Sequence, residues 1–206
     1  AAASNVDHCV SYIEEAVNNA AAKNIPVIVA IGNHESDSAN YTPANCENTI
    51  GVAAASREGD LFYTQNYGEF IDIVALGEDI ASATADPESV GWWENSSFAA
   101  PIVTGVVGNI MSSYPQTTID EIKFFLSVTA KPFIQGQCDD SRRCGAGILD
   151  ADAFTQAVRD YHQQENVVIR PALDNTALCD KTLYANDENE LARLCETYEI
   201  IFPEYQ

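Results

Sequence analysis

The stretch Asn95-Ser96-Ser97-Phe98-Ala99-Ala100-Pro101-Ile102-Val103-Thr104-Gly105 brings two hydroxyls to the point where a polar turn runs into an apolar helix. A hydroxyl there stands at the positive end of the helix, beside backbone N–H groups that have no partner within it. Such N–H groups can stabilise negative charge on a reacting carbonyl oxygen. This is a setting for a nucleophilic serine acting on an acyl group. The ordinary alternative is a serine that only caps the helix. A nucleophile also needs a histidine base and a carboxylate to orient it. No histidine stands near Ser97 in the sequence: the chain has only three, His8, His34 and His162.

The elements that must position this turn follow from hydrophobic spacing. Val6, Val10, Ile13, Val17 and Ala20 recur every three or four residues, which predicts a helix over 6–23 with Asn5 as its N-cap and Asn24 and Pro26 as its stop. Residues 26–31 (PVIVAI) form a β-branched run without polar interruption, as in a buried parallel strand, and Gly32-Asn33 ends it. Two further buried strands are expected over 49–54 and 70–75, with Gly77 marking the turn after the second. The helix over 97–113 is apolar on every side and small at Ala99, Ala100, Gly105 and Gly108, so it is expected inside the domain. Thr117 or Thr118 caps a helix running to Leu126, with Asp120 and Glu121 in its first turn. Gly145-Ala146-Gly147 is a turn before a fourth helix over 150–161. Strands alternating with helices predict an α/β fold with a parallel sheet.

The totals narrow the function. The chain has 206 residues, which suits one domain, or one plus an appendage. Ten basic against 31 acidic side chains give a formal charge of −21, which excludes nucleic acid and anionic membranes as partners. No run approaches the roughly 18 apolar residues of a membrane span, so no membrane insertion is expected. No signal peptide is visible, so if the protein is secreted that segment has been removed or left out. Six cysteines fall into three sequence-local pairs, Cys9 with Cys46, Cys138 with Cys144, and Cys179 with Cys195. Their even number without CxxC spacing points to disulfides rather than zinc, and to an oxidising compartment, although spacing leaves the connectivity open. Residues 162–206 change character and read as an acidic C-terminal extension after a unit of 1–161, with a short strand at 167–169 and a short helix over 188–195.

Five blocks along the chain resemble the subtilisin-like serine proteases, the subtilase family. Val29-Ala30-Ile31-Gly32-Asn33 resembles the strand end VAAGN, which presents an oxyanion-hole asparagine. Asn40-Tyr41-Thr42-Pro43-Ala44-Asn45-Cys46 resembles NYSPAxC of the proteinase K-like and secreted bacterial branch. Residues 71–80 (IDIVALGEDI) resemble DIxAPGxxI, and Ser96-Ser97-Phe98-Ala99-Ala100-Pro101 resembles the nucleophile motif TSMAAP. Cys144-Gly145-Ala146-Gly147, followed by Asp150-Ala151, resembles CGAGxVDA. The blocks keep the family's order.

The resemblance implies a doubly wound parallel-sheet domain, of which 1–161 would be the C-terminal portion. Ser97 would be the nucleophile. Asn33 would donate its side-chain amide to the oxyanion, with the Ser97 N–H as second donor. Ala30, Gly32, Thr42, Pro43 and Ala44 would line the pocket for the substrate residue before the scissile bond, with His34 on its rim. The triad aspartate and histidine belong to the N-terminal half of the family's domain, so a complementary segment or chain is the expected partner, beside a peptide or protein substrate. No cofactor is expected to be required. Asp72 matches an aspartate that in some relatives joins a weak cation site, but one carboxylate is a thin donor set for calcium or sodium. The expected location is extracellular.

Some signature positions differ. Asn95 stands where the family has glycine, Ser96 replaces threonine, Leu76 replaces proline and Ile102 replaces histidine. Two readings follow: an active secreted endopeptidase completed by the missing triad members, or an inactive relative serving as an extracellular binding or scaffold module. Trp92 and Trp93, just before the turn, would either pack under the groove or touch a peptide.

Overall fold

A computed structural model describes residues 4–6, 8–86, 88–133, 138 and 143–163. The elements in order are β1 (Ser4–Asn5), α1 (Ser11–Ala21), β2 (Val27–Ala30), a 3-10 turn (Ser38–Asn40), β3 (Tyr41–Thr42), β4 (Thr49–Ala55), β5 (Ile73–Leu76), β6 (Ile80–Ala83), β7 (Val90–Trp93), α2 (Ser96–Ser113), α3 (Ile119–Val128) and α4 (Ala151–Gln163).

The scaffold is a parallel sheet in the order β2-β4-β5. Every residue of β4 is buried, which accounts for its unbroken small and apolar sequence. One sheet face, carrying Ala30, Ile50, Val52, Ala54, Ile73 and Ala75, packs against α2, α3 and α4 through Val103, Val107, Phe125, Leu126 and Phe154. Val29, Ile31, Ala53, Ala55 and Val74 form the other face, covered by Leu61, Ile71 and Cys144. At the Val27 end of that face lies a satellite cluster of Ile13, Val17, Cys9 and Cys46, which brings α1 alongside. Helices on both faces make this the expected doubly wound α/β sheet. On its outer flank β2 has no strand neighbour among the described residues.

The helix ends obey local chemistry. Thr118, rather than Thr117, caps α3: its hydroxyl accepts from Glu121 N at 3.2 Å, while the Glu121 carboxylate accepts from Thr118 N at 2.8 Å. This reciprocal pair satisfies two otherwise orphaned N–H groups. Asp150 accepts from Ala153 N at 3.1 Å ahead of α4 and is paired with Lys131 at 2.8 Å.

Three expectations change. Helix α1 starts at Ser11, and Asn5 is not its cap. Residues 4–5 pair antiparallel with Tyr41–Thr42, and Cys9 is bonded to Cys46, so the approach to the helix is held extended. Helix α2 is not enclosed on all sides. Ala99, Ala100, Val103, Val107 and Ile110 are buried, whereas Thr104, Gly105, Gly108 and Asn109 are exposed. A Cβ at Gly105 or Gly108 would meet nothing within 4 Å. The antiparallel hairpin of β6 and β7 has no counterpart in the periodicity reading.

Cys9–Cys46 and Cys138–Cys144 are disulfides. The Cys179–Cys195 pair, the 167–169 strand and the 188–195 helix lie outside the described residues. Among the described residues no helix is long and apolar enough to cross a membrane.

Candidate active site

Strand β2 ends where Gly32 turns the chain. Its φ of 104° suits glycine, and a Cβ there would stand 2.5 Å from Asn66 Nδ2. The turn directs the next residue, Asn33, toward the start of α2. Asn33 Oδ1 accepts three hydrogen bonds: from Ser96 Oγ at 2.9 Å, from Ser96 N at 3.1 Å and from Gln65 Nε2 at 2.8 Å. Gly32 N in turn donates to Ser96 Oγ at 3.3 Å. The strand end and the helix start are therefore tied directly together, across 63 positions of sequence.

The first turn of α2 leaves donors free. Ser96 is fully buried, and the next residue, Ser97, is exposed. Among the described residues, the Ser97 hydroxyl, the Ser97 N–H and the Asn33 Nδ2 group have no protein hydrogen-bond partner. Pro101 has no N–H, so the Ser97 carbonyl lacks its helical donor. A hydroxyl beside uncommitted N–H groups at a helix N-terminus is an arrangement for receiving developing negative charge.

Asn95 enters this turn at φ 110° and ψ 171°, a region that favours glycine. Its N donates to Gly77 O at 2.6 Å, and its carbonyl accepts from Phe98 N and Ala99 N. Its Oδ1 is buried without a hydrogen-bond partner among the described residues. Before it, the Trp93 ring stacks on Phe98 with centroids 5.7 Å apart, while Trp92 is 68% exposed. Trp92 thus does not pack beneath a groove.

Around Asn33, Ala30 and Gly32 are buried, and His34 is exposed with its ring stacked on Tyr41. The Thr42 hydroxyl donates to Asn45 Oδ1 at 2.8 Å and lies 3.3 Å from His8 O. Pro43 follows a cis peptide bond, and Ala44 packs in the core with Val29 and Ile31. His162 is engaged far away, with Thr117 at 2.8 Å and stacked on Tyr114. None of the three histidines hydrogen-bonds Ser97 among the described residues. Asp72 accepts from Gly51 N at 2.7 Å and pairs with Lys123 at 3.2 Å. Among the described residues no group of three or more His, Cys, Asp or Glu could hold a metal ion.

Two residues escape the sequence reading. Gln65 and Asn66 hold the strand end, Gln65 through Asn33 and Asn66 by donating to Ile31 O at 3.0 Å and accepting from His34 N at 2.9 Å. Adjacent amides in a loop look like turn residues, and no signal in their types marks them out.

The chain is similar to known proteins of one family. The model of the subtilase family matches residues 3–147. An extracellular protease of Xanthomonas campestris pv. campestris is 36% identical over 156 residues, covering 72% of this chain and 26% of the relative. An extracellular basic protease of Dichelobacter nodosus is 30% identical over 177 residues, covering 81% of this chain and 28% of the relative. Among solved structures, a protease from Pseudoalteromonas arctica PAMC 21717 superposes with a TM-score of 0.65 at 35% identity, over 73% of this chain and 48% of that one. The patellamide maturation protease PatA does so with a TM-score of 0.66 at 25% identity, over 77% of this chain and 60% of that one. The chain thus spans about a quarter of the length of these curated relatives.

Proposed function

Because the chain belongs to the subtilase family, we propose that it contributes the nucleophile and the oxyanion hole of a secreted serine endopeptidase. Ser97 Oγ attacks the carbonyl carbon of a peptide bond. Its proton passes to a histidine, which an aspartate orients, both carried by a complementary segment. The carbonyl oxygen becomes an oxyanion held by Asn33 Nδ2 and the Ser97 N–H. Collapse of the intermediate expels the amine, which takes the proton, and water later releases the acyl group from Ser97.

The observation that carries this reading is the pair of hydrogen bonds from Ser96 to Asn33 Oδ1, one from its N–H and one from its hydroxyl, which brings Asn33 to the residue next to Ser97. The substrate residue before the scissile bond would lie along Ala30, Gly32 and His34, with Thr42, Pro43 and Ala44 behind. The bare flank of β2 and the open face of α2 at Gly105 and Gly108 support a complementary segment as partner, since both belong to the elements that carry the site and both lack cover among the described residues. Disulfides and relatives named as extracellular support secretion.

The test is a fluorophosphonate probe on the assembled protein, this chain together with the segment supplying aspartate and histidine. Covalent labelling is expected at Ser97 and is lost in Ser97→Ala. One observation favours the inactive alternative: Asn95 keeps a side chain in a conformation suited to glycine, next to the nucleophile turn. Absence of labelling and of peptide turnover would select that binding-module reading.

A further inference from the structure

We propose that Gln65 is a positioning residue that, together with the Ser96 N–H, holds the Asn33 carboxamide with its NH₂ end toward the reacting carbonyl; this rests on the oxyanion role of Asn33 above. A carboxamide has an accepting oxygen and a donating NH₂ of nearly the same shape. Turned over, Asn33 would present an oxygen to a developing oxyanion and repel it. Orientation must therefore come from its partners.

Strand β2 makes its last pairing at Ala30, opposite Val52, and Ile31 N still donates to Val52 O at 2.9 Å. Beyond that point β4 continues without β2. Both backbone groups of Ala54 are then met by the returning loop: its carbonyl accepts from Phe62 N at 2.8 Å, and its N–H donates to Gln65 Oε1 at 2.9 Å. A backbone N–H can only donate, so it identifies that end of Gln65 as the oxygen. The other end, Nε2, is then a donor, and it points at Asn33 Oδ1 at 2.8 Å. Gln65 is fully buried, so water does not compete for either end. Orientation is handed from the central strand, through one side chain, to the group that would bind the oxyanion.

The variants are Gln65→Glu and Gln65→Met in the assembled protein, assayed with a chromogenic peptide. Glu keeps an oxygen for Ala54 N–H but sets a second oxygen against Asn33 Oδ1; the repulsion works against the Ser96 N–H bond and displaces the Asn33 amide from the oxyanion position. We expect kcat to fall about 10²-fold, approaching the loss from removing an oxyanion donor, with KM changed by less than about threefold. Gln65→Met keeps the bulk but removes the donor, and kcat falls about tenfold. The double variant Gln65→Glu with Asn33→Ala is no slower than Asn33→Ala alone, because both changes remove one interaction. Retention of kcat within about twofold in Gln65→Glu, or losses that multiply in the double variant, would overturn the inference; a purely structural role predicts such multiplication. Absence of turnover in the unsubstituted protein is a different result, and it removes the oxyanion assignment itself.

Discussion

Asn33 and Ser96 meet at one atom: Asn33 Oδ1 accepts both the backbone N–H of Ser96, at 3.1 Å, and its hydroxyl, at 2.9 Å. The same hydroxyl accepts from Gly32 N at 3.3 Å. Ser96 therefore bridges the two residues at the end of β2 to the start of α2, and Ser97 takes its position from that bridge. Ser96→Ala removes the hydroxyl and leaves Gly32 N unpaired in a buried setting. A stability loss of about 1–3 kcal/mol is expected, with a fall of about tenfold in kcat as Asn33 loosens. Thermal unfolding and peptide turnover of the same preparation measure both, and an unchanged kcat would contradict the bridging role.

Asn95→Gly should work in the opposite direction. A side chain held at φ 110° and ψ 171° costs on the order of 1–3 kcal/mol. The substitution also removes the unpaired buried Oδ1. Against this stands the greater freedom of an unfolded glycine, of about 0.5–1 kcal/mol. The expected net result is a higher melting temperature, read by calorimetry. A lower one would mean that the asparagine side chain stabilises the turn.

Gly108 distinguishes a solvated from a covered face of α2. A helix-interior glycine is about 1 kcal/mol worse than the best helix formers. If the face stays in water, Gly108→Leu raises the melting temperature, because a Cβ there meets nothing within 4 Å. The proposed assembly demands the reverse. The added side chain of Gly108→Leu blocks the approach of the complementary segment, and sedimentation should show weaker association together with reduced turnover.

Asp150 predicts an acid limb of stability. Burial acts to raise its pKa, but hydrogen bonds from Lys131 and Ala153 N, with the Lys131 charge, outweigh it and hold the carboxyl below its ordinary 3.8. A carboxylate whose folded pKa lies below the unfolded value stabilises above the unfolded value, and that contribution is lost as pH falls through the folded one. Asp150→Asn should therefore lower the melting temperature at neutral pH. The gap to the unsubstituted protein should close in acid, as pH falls from the ordinary carboxylate range through the folded pKa. A gap constant from neutrality to strong acid would show that the charge contributes nothing.

The parts of the fold written in continuous apolar runs could be read from sequence. The VIVA and TIGVAAA segments became β2 and β4 because strands buried on both faces need no polar alternation. The start of α1 could not be read. Asn5 and Val6 fit a helix entry locally, but a disulfide and pairing with β3 override that preference. The hairpin of β6 and β7 was hidden because the IASA run of β6 has no apolar–polar alternation in its residue types, and the large apolar residues of β7 are exposed rather than buried. In the site, the family order of the motifs pointed to the turn at Asn33 and the start of α2 as neighbours, and the structure joins them through Ser96. Gln65 was not, because its importance arises only where β2 departs and Ala54 N–H needs another acceptor.

The bare flank of β2 has a consequence for handling and for folding order. A row of backbone donors and acceptors without a neighbouring strand is a template for any extended peptide. When the chain is produced alone, a second copy competes for that template, and higher concentration favours the copy. Under the proposed assembly, completion by the complementary segment would then be a kinetic contest with self-association, decided by which strand arrives first.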